Sequence, residues 1–448
     1  MSGGRRRETG AAATGYGVVH LGAGAFARAH AWWGTAGAVD ADPRPWGVVA
    51  VAQRSSRVVG ALRANDWCYD LDLVEGDAHT PYRVRVVRDG LVAAEDPERL
   101  LEVLAAESTH VVTVTATEAG YPTDPDTGGL DPRAPGVGVD LAGGPPRTLP
   151  GQLALAAAER VRRRLPALSV VVCDNVHDGG PLLRRLSAEL AAGRGHDAAA
   201  LTGEWAFPRT VVDRVVPAVP ADREPHVLAE PWFRWVLEDR FAGPRPAWEL
   251  AGAQVVEDVA PWQAAKLLLL NAPHSLLAYL GLARGHRTVD EAVADPVLRR
   301  VLDAALATEL VPCAAPADGL DPVAEASAAV HRFANPATRH RLAQVGADGS
   351  LKLPQRLSAT VERCQSGQGD ARWATLTVAC WAHTVRQGHV DELRVNEVGT
   401  ALAGPRPARA LLDVARLGTE AADDPVAAEL DRWLGRIETH GLAEAVDA

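Results

Sequence analysis

The order of apolar and helical segments in the first half of the chain constrains its fold more than any other feature. Short apolar, β-branched runs alternate with segments of helical character, which predicts a parallel sheet covered by helices on both faces. The predicted strands are Tyr16–Leu21, Trp46–Ala52, His110–Thr117 and Ser169–Cys173. The predicted helices are Ala27–Ala38, Leu100–Ala106 and Leu153–Arg164.

A glycine-containing turn follows the first predicted strand. Its residues Gly22, Gly24, Ala25, Phe26 and Ala27 fit the GxGxxG/A pattern, in the strand-to-helix context that this pattern requires. Gly22 would permit the tight turn, Gly24 would let the backbone approach a pyrophosphate, and Ala27 would allow the helix to pack closely on the strand. We therefore predict that this turn binds NAD or NADP in a Rossmann-like domain.

The end of the second predicted strand bears on the choice between the two cofactors. NAD-binding domains commonly have an acidic residue there, which accepts hydrogen bonds from the adenosine ribose. Here the strand continues into Gln53 and Arg54, followed by Ser-Ser-Arg, and contains no acid. Gln53 and Arg54 are predicted cofactor contacts, and the arginines and hydroxyls could hold a 2′-phosphate. A solvated turn is the alternative, so NAD and NADP both stay open.

The second half of the chain has a different pattern. From about Trp262 onward it is rich in Ala, Leu, Arg and Glu, and apolar residues recur at helical spacing. This spacing is found in Val297–Leu310, Ala371–Val385 and Val426–Ile437. We predict an α/β fold with a Rossmann-like domain at 14–260, a mainly α-helical catalytic and substrate domain at 261–448, and the active site in the cleft between them. Residues 1–13, a Gly/Ala-rich tail with nothing apolar to bury, are predicted to be disordered.

Composition argues against several classes of partner. The formal net charge of −11 disfavours binding to nucleic acid or to an anionic membrane. The sequence contains neither a signal-peptide core nor a stretch of about 18 apolar residues, so we expect a cytoplasmic protein. The five cysteines form no CxxC pair, and no metal site is predicted.

The segment from Lys266 to His274 places an amine, a carboxamide and an imidazole within nine residues of a leucine-rich run. Desolvation by the leucines would disfavour the charged form of Lys266, and a lysine of lowered pKa can act as a general base near neutral pH. A surface lysine on an amphipathic core helix is the alternative. Pro273 either interrupts a helix or lies in the first turn of a new helix that Asn271 caps.

Two polar motifs follow strand-like runs in the first half. Asn175 lies on the sheet edge that faces the ligand crevice in open α/β folds, where it could donate a hydrogen bond to developing negative charge. An Asx-turn is an equally good interpretation of Asn175. Asp213 could orient a base or bind a hydroxyl, or it could form a surface ion pair with Arg214.

Together these motifs resemble those of the polyol-specific long-chain dehydrogenases, the family that includes mannitol 2-dehydrogenase and fructuronate reductase. The matching pieces occur in the family's order over most of the chain. They are Leu21–His30, Thr117–Tyr121, Asp124–Gly128, Cys173–Asn175, Val212–Arg214, Glu230–Pro231, Trp235–Asp239, Lys266–His274, Arg332–Pro336 and Asp348–Lys352.

The resemblance implies a zinc-independent enzyme that moves a hydride between a secondary alcohol and NAD or NADP. It implies that Lys266 is the general acid/base and that Asn175 and Asn271 polarise the reacting oxygen. The resemblance also implies that substrate is bound by His274, Asp213 and Lys352. The chemistry of the side chains agrees with the first two roles, because a neutral amine can accept a hydroxyl proton and carboxamides can stabilise an alkoxide.

A sugar alcohol and its ketose, such as mannitol and fructose, are the leading substrate pair. The main alternative is a hexuronate reductase for fructuronate/mannonate or tagaturonate/altronate, which should place a guanidinium at the substrate carboxylate. Candidates for that guanidinium are Arg339, Arg341 and Arg363. A nucleotide-binding sensor is a non-enzymatic alternative that would have no use for a base. Gln344, where mannitol dehydrogenases have arginine, and Pro273 leave the substrate open, and the sequence is compatible with a monomer or a small homo-oligomer.

Overall fold

The computed structural model describes residues 6–418 and 424–446 and divides into two compact units. The first unit ends at Val259 and the second begins at Ala260. This division lies one residue from the boundary at 260/261 that the change in sequence pattern predicts.

A five-stranded parallel sheet forms the centre of the first unit. The strands of the unit are β1 (Arg7–Thr9), β2 (Tyr16–Leu21), β3 (Gly47–Ala52), β4 (Tyr69–Glu75), β5 (Ala78–Val84), β6 (Val87–Val92), β7 (Val111–Val114), β8 (Ser169–Val172), β9 (Thr210–Asp213), β10 (Val227–Ala229), β11 (Arg234–Glu238) and β12 (Gln254–Val256). The central sheet has the strand order β6-β3-β2-β7-β8, and every neighbouring pair in it is parallel. The strand order reverses between β2 and β7, and in such sheets the crevice outside the carboxyl ends at this point binds ligands.

Helices cover both faces of this sheet. They are α1 (Ala25–Ala29), α2 (Ala31–Ala41), α3 (Arg57–Ala64), α4 (Pro97–Leu104), α5 (Val137–Leu141), α6 (Leu149–Arg163) and α7 (Gly179–Gly193). The predicted parallel sheet is confirmed, since β2, β3, β7 and β8 lie within the predicted strands. The predicted helix Ala27–Ala38 is divided at His30, whose backbone angles are not helical.

Alternate residues of the central strands belong to two separate cores. In β3, Val48 and Ala50 pack into one apolar cluster, whereas Val49 and Val51 pack into the other. Every residue of β3 is buried. Burial of each valine side chain stabilises the folded state by about 1.5–3 kcal/mol. A strand buried on both faces explains why the apolar runs are continuous rather than alternating with polar residues.

Two smaller sheets extend the first unit. One has the order β1-β5-β4-β10 and the other the order β12-β11-β9. The predicted disorder of 1–13 is wrong for β1, which pairs in parallel with β5; residues 1–5 lie outside the described residues. Backbone pairing at a sheet edge needs no apolar side chain, and the Arg7 guanidinium also donates to the Tyr82 hydroxyl at 3.2 Å.

The described residues of the second unit form helices joined by turns and loops, and they contain no β-strand. Its helices are α8 (Ala260–Lys266), α9 (Ala272–Ala283), α10 (Val289–Ala294), α11 (Pro296–Ala305), α12 (Val311–Cys313), α13 (Pro322–Phe333), α14 (Leu342–Gly346), α15 (Gly349–Gln365), α16 (Arg372–Arg386), α17 (Val395–Ala403), α18 (Pro407–Val414) and α19 (Pro425–His440). Helix α16 is central, because it is buried continuously from Ala374 to Val385. Within residues 6–418 and 424–446, no helix combines the length and apolar character that crossing a membrane requires.

Candidate active site

The two glycines of the turn after β2 serve different purposes. Gly22 has a φ of +108°, and a Cβ added to it would lie 1.9 Å from the carbonyl oxygen of Thr115. Only glycine fits there, because both the backbone conformation and the space exclude a side chain. Gly24 has extended backbone angles, and a Cβ added to it would meet no atom within 4 Å. The open side of Gly24 is where a ligand could approach the backbone.

The residues after β3 provide no acidic group. The Gln53 carboxamide exchanges hydrogen bonds with that of Gln152, with N–O distances of 2.7 and 3.3 Å. Arg54 is exposed beside it. The geometry around Gln53 and Arg54 is thus compatible with either cofactor.

Asn175 lies in the bend between β8 and α7, and its side chain is exposed. The preceding residue, Asp174, accepts hydrogen bonds from the Ala116 backbone N–H at 2.7 Å and from the Tyr121 hydroxyl. Burial raises the pKa of the Asp174 carboxyl to about 7, although both hydrogen bonds act in the opposite direction. The bend that bears Asn175 is therefore attached to the segment that follows β7.

Asp213 is the last residue of β9, and its carboxylate accepts a hydrogen bond from the Trp232 indole N–H at 3.2 Å. The alternative of an Asp213–Arg214 surface pair is wrong. Arg214 is buried, and it donates to the carbonyl oxygens of Glu230 and Ala29 at 3.0 and 2.6 Å. A buried guanidinium with carbonyl partners is a structural element and not half of a surface ion pair.

The segment from Lys266 to His274 is helical without interruption but contains one π turn. Helix α8 ends at Lys266, a π turn covers Leu267–Asn271, and α9 begins at Ala272. The Ala272 N–H donates to the Leu267 carbonyl, five residues earlier. Pro273 lies in the first turn of α9, as one of the two sequence interpretations predicts. Asn271, however, has helical backbone angles and its side chain does not cap the helix.

The π turn determines which side chains share a face of the helix. In a regular α-helix, Lys266 and Asn271 would be about 140° apart around the axis. A π turn contains one additional residue, so Asn271 takes the place of residue i+4, about 40° from Lys266. By the same reasoning His274 takes the place of residue i+7, about 20° from Lys266. The amine, the carboxamide and the imidazole are thus brought to one face.

His274 lies in a partly buried cluster of aromatic and cationic side chains. Its ring centroid is 4.9 Å from those of both Phe333 and His340. Burial holds the pKa of His274 well below its usual range, and neighbouring cationic groups add to this effect. These groups are Arg356, Arg332 and Lys352, together with His340 in its protonated form. The imidazole is therefore neutral near pH 7, and its buried Nε2 has no hydrogen-bond partner among the described residues.

Helix α15 carries Lys352 and, one turn later, Arg356. A Cβ on Gly349 would lie 2.3 Å from the Trp381 indole nitrogen, so the start of the helix requires glycine. The backbone N–H and hydroxyl of Ser350 donate to Glu392, which fixes the same end. The Lys352 amine donates to the Val345 carbonyl at 3.5 Å.

Arg356 was not among the site residues predicted from the sequence. Its guanidinium donates to the Asn271 carbonyl at 3.2 Å and to the Ser275 hydroxyl at 2.6 Å. The position i+4 from Lys352 was the available signal, since residues at this spacing share a helix face. Two of the predicted candidates, Arg339 and Arg341, are exposed.

The chain uses lysine only at 266 and 352, whereas it uses arginine at 44 positions. Arginine stays protonated in proteins, but a lysine can lose its proton when its environment favours the neutral form. Both lysines belong to the second unit. Within the described part of the chain, no group of three or more His, Cys, Asp or Glu side chains is arranged to hold a metal ion.

Comparison with known proteins identifies relatives of both units. Residues 16–250 match the mannitol dehydrogenase Rossmann domain, and residues 258–397 match the mannitol dehydrogenase C-terminal domain. D-mannonate oxidoreductase of Escherichia coli (strain K12) is 35% identical over 382 residues, covering 81% of this chain and 79% of the relative.

Two solved structures are similar over almost the whole chain. Mannitol 2-dehydrogenase of Pseudomonas fluorescens, in a ternary complex with NAD and D-mannitol, has a TM-score of 0.83 and 28% identity. The match covers 98% of this chain and 96% of that structure. A D-sorbitol dehydrogenase in substrate-free form has a TM-score of 0.86 and 26% identity, covering 96% and 95% of the two chains.

Proposed function

Because the chain belongs to the mannitol dehydrogenase family, we propose that it is a zinc-independent oxidoreductase with Lys266 as its general acid/base. It transfers a hydride between NAD(P)(H) and a sugar alcohol/ketose pair such as mannitol and fructose. The observation that carries this proposal is the π turn, because it brings Lys266, Asn271 and His274 to one helix face.

The turn after β2 fits a dinucleotide. Gly22 permits the turn, and the open side of Gly24 would admit a pyrophosphate against the backbone. Ala25, Phe26 and Ala27 begin the helix that follows. The bound nicotinamide would supply a hydride acceptor for oxidation and a hydride donor for reduction. The NAD complex of the Pseudomonas fluorescens relative supports NAD as a cofactor of this chain, and NADP is proposed beside it.

Removal of hydride from a carbinol carbon requires removal of the hydroxyl proton. Lys266, in its neutral form, accepts that proton, and in the reverse direction its ammonium returns it. The carboxamides of Asn175 and Asn271 donate hydrogen bonds to the substrate oxygen and stabilise its negative charge, each lowering the barrier by roughly 3 kcal/mol. Neither carboxamide competes as an acid, so the proton moves to Lys266 alone.

Substrate hydroxyls are held by His274, Asp213 and Lys352. A neutral imidazole can donate or accept a hydrogen bond, and the buried Nε2 of His274 gains a partner when a hydroxyl reaches it. Asp213 accepts hydrogen bonds from hydroxyls, whereas the Lys352 amine donates them. Together the three would recognise a chain of hydroxyl groups rather than an apolar alcohol.

The test begins with turnover on a panel of polyols, ketoses and hexuronates, followed by the absorbance of the reduced nicotinamide. Lys266→Ala should abolish turnover while the Kd for cofactor stays within twofold. Since the chain has only two lysines, NMR of protein labelled at the lysine ε-carbon should give two signals, which Lys352→Arg assigns. The role as a base requires the Lys266 signal to report deprotonation at a lower pH than the Lys352 signal does. Retained kcat in Lys266→Ala would refute the assignment.

A hexuronate is the second candidate substrate, favoured by Arg356. Its guanidinium lies against the Asn271 carbonyl, in the cationic cluster around His274. Arginine grips a carboxylate with two hydrogen bonds, and surrounding positive charge would favour an anionic substrate over a neutral polyol. The similarity to D-mannonate oxidoreductase supports the same candidate.

Substitution of Arg356 distinguishes a hexuronate from a polyol as the substrate. Arg356→Gln should lower kcat/KM for a hexuronate by about a hundredfold, because a charged hydrogen bond contributes about 1.5–3 kcal/mol, and for a polyol only a few-fold. Arg299→Gln, which changes an exposed arginine on α11, is the matched control. Equal losses on both substrates in Arg356→Gln would reject a role in carboxylate recognition.

A further inference from the structure

The segment after β7 contacts the glycine turn directly. The Thr115 hydroxyl donates to the Gly22 carbonyl at 2.7 Å, and the Thr115 N–H donates to the Leu21 carbonyl at 2.9 Å. The Thr115 carbonyl also occupies the space where a side chain on Gly22 would lie. The first residue after β7 thus holds the turn on which cofactor binding is proposed to depend.

The same segment is attached at its other end to the residue before Asn175. Asp174 accepts from the Ala116 N–H with one carboxylate oxygen and from the Tyr121 hydroxyl with the other. Tyr121 is 6% exposed and packs into the apolar core on that face of the sheet. A single carboxylate therefore binds both ends of the turn that covers residues 116–121.

A carboxylate at this position is energetically costly. Asp174 is half-buried, and the removal of its carboxylate from water raises its pKa to about 7 even though both of its oxygens accept hydrogen bonds. Packing alone does not require such a group. What it provides is a fixed acceptor with two oxygens, adjacent in sequence to the exposed side chain of Asn175.

We propose that Asp174 and Tyr121 are positioning residues for hydride transfer. We call their hydrogen bond the Asp174–Tyr121 latch. It fixes the position of the Asn175 carboxamide relative to the glycine turn, because Ala116 and Thr115 connect the two. The inference rests on the proposed function, in which Asn175 donates to the substrate oxygen. Neither residue touches the reacting atoms, so the latch acts on the rate of the chemical step and leaves cofactor affinity intact.

The test removes one hydroxyl. Tyr121→Phe keeps the buried ring and deletes only the donor to Asp174, and kcat should fall about tenfold or more, because misplacement by 1 Å can cost about a hundredfold. Tyr69→Phe is the matched control. Tyr69 is also buried in the first unit, and its hydroxyl donates to the Arg28 carbonyl at 2.7 Å. In both variants the Kd for reduced cofactor, from tryptophan fluorescence, and the thermal midpoint are measured beside kcat and KM.

The conservative variant at the other end of the latch completes the test. Asp174→Asn keeps an acceptor for the Ala116 N–H and can donate to Tyr121, so it should retain more kcat than Asp174→Ala. A role in stability alone would lower the thermal midpoint and cofactor affinity of Tyr121→Phe together with kcat, which overturns the proposal. Unchanged kcat in Tyr121→Phe also overturns it while leaving the proposed function intact. A wild-type enzyme inactive on the whole substrate panel overturns both.

Discussion

Replacement of Gly22 by alanine tests how the turn after β2 is built. The new Cβ would lie 1.9 Å from the Thr115 carbonyl oxygen, whereas real Cβ atoms stay at least 3.0 Å from their neighbours. The obstacle is backbone at the end of β7 and not a flexible side chain. Relief of the overlap therefore requires the turn or the neighbouring strand to move by roughly 1 Å.

Two contributions determine how much stability Gly22→Ala loses. A φ of +108° costs a residue with a Cβ about 1–3 kcal/mol, and forcing extra volume into a packed site adds about 1–3 kcal/mol. The free energy of unfolding of the first unit should fall by about 4 kcal/mol, which lowers the thermal midpoint by about 8–16 °C for a domain of this size. Circular dichroism at 222 nm, a wavelength that reports helix, would follow the transition.

Gly24→Ala is the matched variant. Its φ is −74°, and a Cβ there meets no atom within 4 Å, so the thermal midpoint should stay within about 2 °C of wild type. The Kd for cofactor should rise at least about tenfold, equivalent to about 1.4 kcal/mol, because the Cβ would occupy the space proposed for the pyrophosphate. A wild-type midpoint in Gly22→Ala would refute the strain argument. A wild-type Kd in Gly24→Ala would refute the location of the cofactor.

Three further outcomes are expected. His274→Leu should raise KM for the substrate at least about tenfold at unchanged cofactor Kd, because it removes the buried nitrogen proposed to bind a hydroxyl; an unaltered KM would count against that role. Gln53→Asp should raise the ratio of kcat/KM with NAD to that with NADP about tenfold, since a carboxylate accepts from the ribose and repels a 2′-phosphate; a falling ratio would contradict it. Burial raises the pKa of Glu309 from 4.5 to about 7. The folded state therefore binds this proton more tightly than the unfolded chain does. As a result, the free energy of unfolding should fall by up to about 3 kcal/mol as pH rises from 4.5 to 7. Glu309→Gln should flatten that profile in thermal unfolding, and an unchanged slope would assign the dependence to other groups.

The central sheet could be predicted from the sequence because its strands are buried on both faces. Runs such as that of β3 have no polar residue, and few other local structures produce this pattern. Strand β4 was missed although Tyr-Asp-Leu-Asp-Leu alternates as a half-buried strand does. Its partner β5 contains Pro81 and no buried residue before Val84, which weakens the signal of the pair. The smaller sheets consist of strands with such weak sequence patterns, and for this reason they were not predicted.

The residue types of the candidate site could be read from the sequence, but their arrangement could not. Four leucines in succession fit an α-helix and a π turn equally well, and only the hydrogen bond from Ala272 to Leu267 distinguishes them. Arg356 was missed because its hydrogen bonds to the Asn271 carbonyl and the Ser275 hydroxyl join α15 to the π turn and to α9, which lie far apart from α15 in sequence. Pairing of Tyr121 with Asp174 likewise depends on neighbouring strand ends that only the sheet order brings together.

The π turn has a consequence for changes in chain length. Because Leu267–Asn271 contains one residue more than an α-helical turn, deletion of a single leucine there would restore regular pitch and still leave Lys266 and Asn271 about 40° apart. Loss of a second residue would rotate the two sides of the segment by a further 100° or so. The segment can therefore lose one leucine and keep Lys266 and Asn271 on the same face of the helix. Relatives whose leucine run is one residue shorter could retain the same arrangement of these side chains.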